Sequence, residues 1–89
     1  MRLVLDTVSP RGARPVDRAK VGLVFRQLRK TRGMSQEVLS GLAGIDRSHY
    51  SKIELGQCGL SLETMLKIAY ALDKKPHEVM EAIEKALEA

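Results

Sequence analysis

The chain has 89 residues and a mass of 9.9 kDa, which is the size of one small domain with a thin core. Hydrophobic residues make up 44% of it, enough for a globular chain and too much for a disordered one. The sequence has neither an apolar run long enough to span a membrane nor a recognisable secretory signal, so we expect no membrane partner. Its single cysteine, Cys58, cannot form an intrachain disulfide, which favours a reducing, cytoplasmic location.

Charge is distributed unevenly along the chain. Residues 1–52 carry eleven Lys or Arg against four Asp or Glu, a net charge of +7, whereas residues 53–89 carry four lysines against seven carboxylates, a net charge of −3. A basic half next to an acidic half favours a protein with one side that faces a polyanion. The alternative is that a total of +4 is ordinary for a small domain.

Residues 1–16 differ from the rest of the chain. The first eight residues are partly apolar and predict a short strand, whereas Pro10 and Pro15 disfavour a helix in the stretch that follows. We therefore interpret residues 1–16 as an N-terminal arm or short strand, and a basic arm of this kind could reach a DNA minor groove. A disordered terminus is the competing interpretation.

Residues 17–89 predict an all-α domain of five short helices. Four stretches with apolar residues at helical spacing follow residues that commonly cap helices, and a fifth opens with a proline at a position that helices tolerate. The fourth stretch is apolar almost all round, which predicts that it is the central helix. The caps are Asp17, Ser35, Asp46 and Ser61, the opening proline is Pro76, and Gly33 and Gly44 mark the ends of the first two helices.

Residues 36–54 show the pattern of a helix-turn-helix. Two short helices flank Gly44, which can adopt left-handed backbone angles without a Cβ clash. Tyr50 and Ile53 are expected to seat the second helix on the core. The side chains left to point outward are all hydrogen-bonding types, as the edges of bases and phosphates require; they are Arg47, Ser48, His49, Ser51 and Lys52.

Residues 26–72 resemble the Cro/CI-type phage repressors, the XRE-like helix-turn-helix regulators. The resemblance rests on one register of matching positions: Arg29, Gly33, Ser35-Gln36, Leu39, Gly44, Ser51, Ile53-Glu54, Gly56, Ser61-Leu62 and Ile68-Ala69. It implies a five-helix lambda-repressor-like domain that binds operator DNA as a dimer. Restriction–modification controller proteins share this size and register, so they are one subclass of regulator that fits the sequence.

The resemblance also implies a role for individual residues. The base-contacting positions of the family are occupied by Arg47, Ser48 and Lys52, and we add His49 to them. Gln36 matches a residue that hydrogen-bonds a phosphate, and we expect the same of Ser51, Arg26, Lys30 and Arg32. Arg29 and Glu54 match a structural salt bridge between the first and third helices. In this family the second helix of the helix-turn-helix is the recognition helix, which enters the DNA groove. The family often has basic residues after it, whereas this chain has Gly56-Gln57-Cys58, which predicts weaker phosphate contacts there.

The fifth helix predicts a dimer interface. Its apolar residues form a stripe that looks too long for the small core to cover, and an exposed apolar stripe usually marks an interface. We expect residues 76–89 to form a dimerisation helix through Val79, Met80, Ile83 and Leu87. The competing interpretation is that the first half of this stripe covers the fourth helix.

Other classes of function fit the sequence less well. His49, His77 and Cys58 lie on three different elements without metal-ligand spacing, so we expect no metal or other cofactor. No arrangement of nucleophile, base and orienting residue is visible, which argues against an enzyme. We predict a transcriptional regulator that binds double-stranded DNA as a homodimer at an inverted-repeat operator. The alternative is the antitoxin of a toxin–antitoxin pair, with residues 1–10 holding the protein partner.

Overall fold

The computed structural model describes residues 15–89, which form five α-helices joined by short turns. The predicted arm at residues 1–16 therefore lies outside the described residues, apart from its last two. No helix in this part of the chain is long and apolar enough to cross a membrane. The helices are α1 (Arg18–Thr31), α2 (Gln36–Ala43), α3 (Arg47–Glu54), α4 (Leu62–Ala71) and α5 (Pro76–Glu88).

The helix starts are fixed by short polar side chains, as predicted. Asp17, Ser35, Asp46 and Ser61 each accept a hydrogen bond from a free backbone N–H in the first turn of α1 to α4. At α5 the capping side chain comes from inside the helix: the Glu78 carboxylate, in the first turn, accepts the backbone N–H of the N-cap residue Lys75 at 2.9 Å. The all-α class and the five helices of the sequence analysis are thus confirmed.

The five helices close a ring around one hydrophobic core. The main contacts pair α1 with α3 and α5, α2 with α3 and α4, and α4 with α5, so each helix has two main neighbours. The prediction of a central fourth helix is wrong, because Leu62 and Tyr70 on α4 are 70% and 66% exposed. The largest side chains at the centre of the core are Phe25, Leu39, Tyr50, Ile53, Ile68, Leu72 and Val79.

The ring brings α1 and α3 unusually close together. A Cβ atom on Gly22 of α1 would lie 2.3 Å from the carbonyl oxygen of Glu54 and 2.5 Å from that of Ile53. Only a residue without a side chain permits this approach. The inner face of α3 is therefore held directly against the backbone of α1, which leaves the opposite face of α3 to the outside.

The apolar stripe of α5 is divided between the core and the surface. Val79 is completely buried and Ile83 is 7% exposed, whereas Met80 and Leu87 are 48% and 39% exposed. Placing Val79 in a dimer interface was therefore wrong, because its side chain is already covered by the domain's own core. Periodicity identified the correct face of α5 but could not show how much of it α1 and α4 cover.

Candidate nucleic-acid interface

The turn between α2 and α3 is three residues long and orients the second helix. Gly44 takes left-handed backbone angles, with φ of 71° and ψ of 33°, and ends α2. Ile45 is half-buried and packs against the core. Asp46 then starts α3 by accepting the backbone N–H groups of Ser48 at 3.1 Å and His49 at 3.3 Å. The angle between the two helices is thus set by one glycine, one apolar contact and one cap.

The two faces of α3 have different chemistry. Tyr50, Ile53 and Glu54 point inward and are buried. Every outward position carries a hydrogen-bonding side chain, and together they form a polar row that we call the α3 outer face. Four of these side chains are exposed and the fifth, Ser51, is half-buried; they are Arg47, Ser48, His49, Ser51 and Lys52.

Asp46 and Ser48 are linked at the start of the α3 outer face. The Ser48 hydroxyl donates to the Asp46 carboxylate, in addition to the backbone N–H groups described above. The hydrogen bond from the Ser48 hydroxyl and those from the backbone of His49 and Ser48 lower the pKa of Asp46, so the cap stays ionised. Because the Ser48 hydroxyl proton is used in this way, the Ser48 oxygen is left chiefly as an acceptor.

A buried polar cluster connects α1, α2 and α3 behind this face. Its centre is the Glu54 carboxylate, which accepts from Arg29 Nε at 2.7 Å and from Arg29 Nη2 at 3.1 Å. The Gln36 amide donates to the same carboxylate at 2.9 Å, and the Tyr50 hydroxyl donates to its other oxygen. The expected ion pair of Arg29 and Glu54 is present, and we call these four residues the Glu54 cluster.

The ionisation of the Glu54 cluster follows from its hydrogen bonds. Burial by itself raises the pKa of Glu54, but hydrogen bonds from Arg29, Tyr50 and Gln36 outweigh it and the pKa is lowered. The hydrogen bond to Glu54 raises the pKa of the Arg29 guanidinium. Burial and the neighbouring carboxylate raise the pKa of Tyr50. The cluster therefore contains one cation, one anion and one neutral phenol at physiological pH.

The structure brings some of the expected phosphate-binding residues together. Arg26, Gln36 and Ser51 come from three helices and line one shallow cleft, whose floor includes Arg29 and Glu54. Lys30 is four residues from Arg26 on α1 and so extends from the same side of that helix. Leu55, an apolar residue that was not a candidate for DNA contact, also lines this cleft and is 64% exposed.

Other candidate residues lie apart from this cleft. Arg32 is near the end of α1, and its guanidinium is 3.8 Å from the carboxylate of Asp73, a pair that partly offsets its charge. Cys58 and His77 lie on a loop and on α5, away from His49 on α3. Within residues 15–89 no group of three or more His, Cys, Asp or Glu side chains is placed to hold a metal ion.

Two features of this site go beyond what the sequence predicts. Gln36, expected only to contact DNA, also joins the Glu54 cluster through its amide. Gly22 permits the close approach of α1 and α3, and the only sequence signal for it is a glycine inside a helical pattern, which often has a packing reason. Tyr50, expected to seat α3 on the core, is buried there and donates its hydroxyl hydrogen bond to Glu54.

Comparison with known proteins places this geometry among transcription regulators. The sequence profile of the helix-turn-helix family matches residues 25–79, which include the second half of α1, all of α2, α3 and α4, and the first turn of α5. No curated protein sequence matches the chain.

Solved structures with the same arrangement include restriction–modification controller proteins. C.AhdI from Aeromonas hydrophila is 45% identical, with 73% of this chain and 98% of that chain covered and a TM-score of 0.69. C.Esp1396I, solved as a tetramer in complex with its natural 35-base-pair operator, is 25% identical over 85% of this chain and 100% of that chain, with a TM-score of 0.77. The clp gene regulator ClgR from C. glutamicum shares the fold at 20% identity, over 83% and 96% of the two chains, with a TM-score of 0.74.

Proposed function

Because the chain belongs to the helix-turn-helix family and is a DNA-binding regulator of the restriction–modification controller type, we propose that it acts as a homodimer on an inverted-repeat operator. Each protomer inserts α3 into a major groove, and the two grooves lie about 34–36 Å apart along the DNA. Binding at such a site controls transcription.

The observation that carries this proposal is the two-faced construction of α3. The inner face packs against the backbone of α1 and in the core, which defines the orientation of the helix. The outer face presents five hydrogen-bonding side chains and no large apolar one. A rigid helix with such a face fits the major groove, where each base pair shows a distinct pattern of donors and acceptors.

We assign base contacts to the α3 outer face and phosphate contacts to the cleft beside it. Arg47 is suited to a bidentate contact with guanine, because its guanidinium is exposed at the start of α3. Ser48, His49 and Lys52 extend the base-reading surface. The DNA phosphates are assigned to residues that line or adjoin the cleft, namely Ser51, Gln36, Arg26 and Lys30. Arg32 is the weakest member of the phosphate set, because its charge is partly offset by Asp73.

Replacing Arg47 with alanine is expected to weaken operator binding by about 1–3 kcal/mol per contact and to relax the preference at one base position in each half-site. Arg47 can contribute a guanine contact only where the DNA carries guanine at that position. The binding free energy lost in Arg47→Ala therefore depends on the DNA sequence. Titration of the operator and of a copy changed at the contacted base, for wild type and variant, measures this.

The matched control is Lys67→Ala, which removes one exposed cation from α4, a helix that carries none of the proposed contacts. It should change affinity for both DNA sequences little. An equal loss for Arg47→Ala on every sequence would mark Arg47 as a phosphate contact instead.

The dimer is assigned to the exposed part of α5. Met80, Leu87 and the edge of Ile83 line a shallow groove that is flanked by His77 and by acidic residues of the same helix. An apolar strip of this kind on a small domain favours association. The relative C.Esp1396I forms a tetramer on its operator, which supports self-association as part of DNA binding here.

Introducing a charge into this groove with Met80→Lys is expected to shift the protein from dimer to monomer at tens of micromolar. The lysine would have to bury an unpaired cation in the interface, which is costly. Sedimentation equilibrium of wild type and variant measures the shift. Leu62→Lys, at an exposed apolar position of α4 outside the groove, serves as control and should stay dimeric. A monomeric wild type would overturn the dimer assignment.

A further inference from the structure

Gln36 is held by a partner that belongs to the protein itself. Its amide nitrogen donates to the Glu54 carboxylate at 2.9 Å, although the two residues are 18 positions apart and lie on different helices. We infer that Glu54 is a positioning residue for DNA binding, which fixes the Gln36 amide in advance of its contact with a DNA phosphate. This inference rests on the proposed function.

The Gln36 side chain retains a donor for the DNA. A primary amide has two N–H donors, and Glu54 accepts one of them. The side chain also lines the cleft that it shares with Arg26 and Ser51. One N–H group is thus anchored inside the protein while the same amide faces the place assigned to the phosphate.

The position of the Glu54 carboxylate is itself fixed. Arg29 forms two hydrogen bonds to it, and the Tyr50 hydroxyl binds the oxygen that the Arg29 Nε group also contacts. Arg29 is anchored in turn, because its Nη1 group donates to the Met34 carbonyl at 2.9 Å. The carboxylate that receives Gln36 is therefore held by contacts from α1 to both of its oxygens and from α3 to one of them.

The Arg29 guanidinium also makes this arrangement compatible with DNA. A lone carboxylate beside the cleft would repel a phosphate, but the adjacent cation balances its charge. Glu54 can then orient an uncharged donor without opposing the approach of the backbone. A long, rotatable side chain that is ordered before binding loses less conformational freedom when it binds.

The experiment is a double-mutant cycle on operator affinity with Glu54→Asp and Gln36→Ala. Aspartate keeps the charge beside Arg29 but withdraws the carboxylate by one methylene group from Gln36. We expect Glu54→Asp to weaken operator binding roughly three- to tenfold per protomer, and to cause no further loss when Gln36 is already alanine. Circular dichroism at the binding temperature establishes that each variant is folded.

A second variant keeps the test decisive if Glu54→Asp does not fold. Combining Arg29→Met, Tyr50→Phe and Glu54→Leu replaces the ionic cluster by apolar groups, an exchange that folded domains often tolerate. This triple variant should also bind the operator more weakly than wild type, and adding Gln36→Ala to it should cause no further loss. The inference would be overturned if Glu54→Asp weakened operator binding equally with Gln36 present and with Gln36 replaced by alanine. It would also be overturned if Glu54→Asp alone, or Gln36→Ala alone, caused no loss of affinity. If wild type itself fails to bind duplex DNA, the proposed function fails instead.

Discussion

Replacing Glu54 with leucine is expected to destabilise the domain by about 3–5 kcal/mol, because it leaves the Arg29 cation buried without its counter-charge. The side chain of Glu54 is only 3% exposed, so water cannot replace the lost partner. Since domains of this kind are stable by about 5–15 kcal/mol, the loss should appear as a large decrease in the midpoint concentration of urea denaturation. Adding Arg29→Met to Glu54→Leu should recover most of it.

The matched control for this substitution is Glu81→Leu on α5. Glu81 pairs with Lys85 at 3.8 Å, but both side chains are largely exposed, so the loss should stay below about 1 kcal/mol. A similar small effect for Glu54→Leu would contradict the role given to the Glu54 cluster.

Acid should remove the stabilisation that Glu54 contributes. Its pKa is lowered in the folded state, so its contribution is complete above its unfolded pKa of about 4.3 and is lost as the pH falls through the lower folded value. The difference in stability between wild type and Glu54→Leu should therefore narrow in acid.

Replacing Gly22 with alanine is expected to destabilise the domain by about 3 kcal/mol or more, although alanine is the better helix former. The new methyl group would meet backbone carbonyl oxygens of α3 at 2.3 and 2.5 Å. Backbone atoms cannot rotate away as a flexible side chain does, so α1 and α3 would have to separate. Operator affinity should fall as well, since α3 would lose its seat.

Gly41 on α2 provides the opposite result as a control. A Cβ atom there would meet nothing within 4 Å, and Gly41 has an ordinary helical backbone. Gly41→Ala should stabilise the domain by about 1 kcal/mol through helix propensity alone. Thermal denaturation of the two variants side by side makes the comparison, and stabilisation by Gly22→Ala would show that α1 and α3 are not in close contact.

Local chemistry made much of the fold predictable from the sequence. A Ser or Asp before each of α1 to α4 accepts hydrogen bonds that belong to its own first turn, so the helix starts follow from residues a few positions apart. The left-handed turn at Gly44 and the inward face of α3 follow in the same way from a glycine and from apolar spacing.

The features that could not be predicted depend on contacts between distant parts of the chain. Apolar spacing on α5 marks one face, but only the packing of α1 and α4 shows that Val79 is buried while Met80 stays exposed. The sequence of α4 is apolar almost all round, yet Leu62 and Tyr70 lie outside the core. The hydrogen bond from the Gln36 amide to Glu54 likewise depends on the distance between α2 and α3.

Binding-site selection from random duplex DNA tests whether this domain reads DNA through the α3 outer face as a dimer. Such a dimer should enrich an inverted repeat with half-sites about one helical turn apart, and Arg47→Ala selected in parallel should lose the preference at one position per half-site. No enrichment by wild type alone, with binding only after a co-expressed protein partner is added, would contradict this prediction and favour the antitoxin-like alternative.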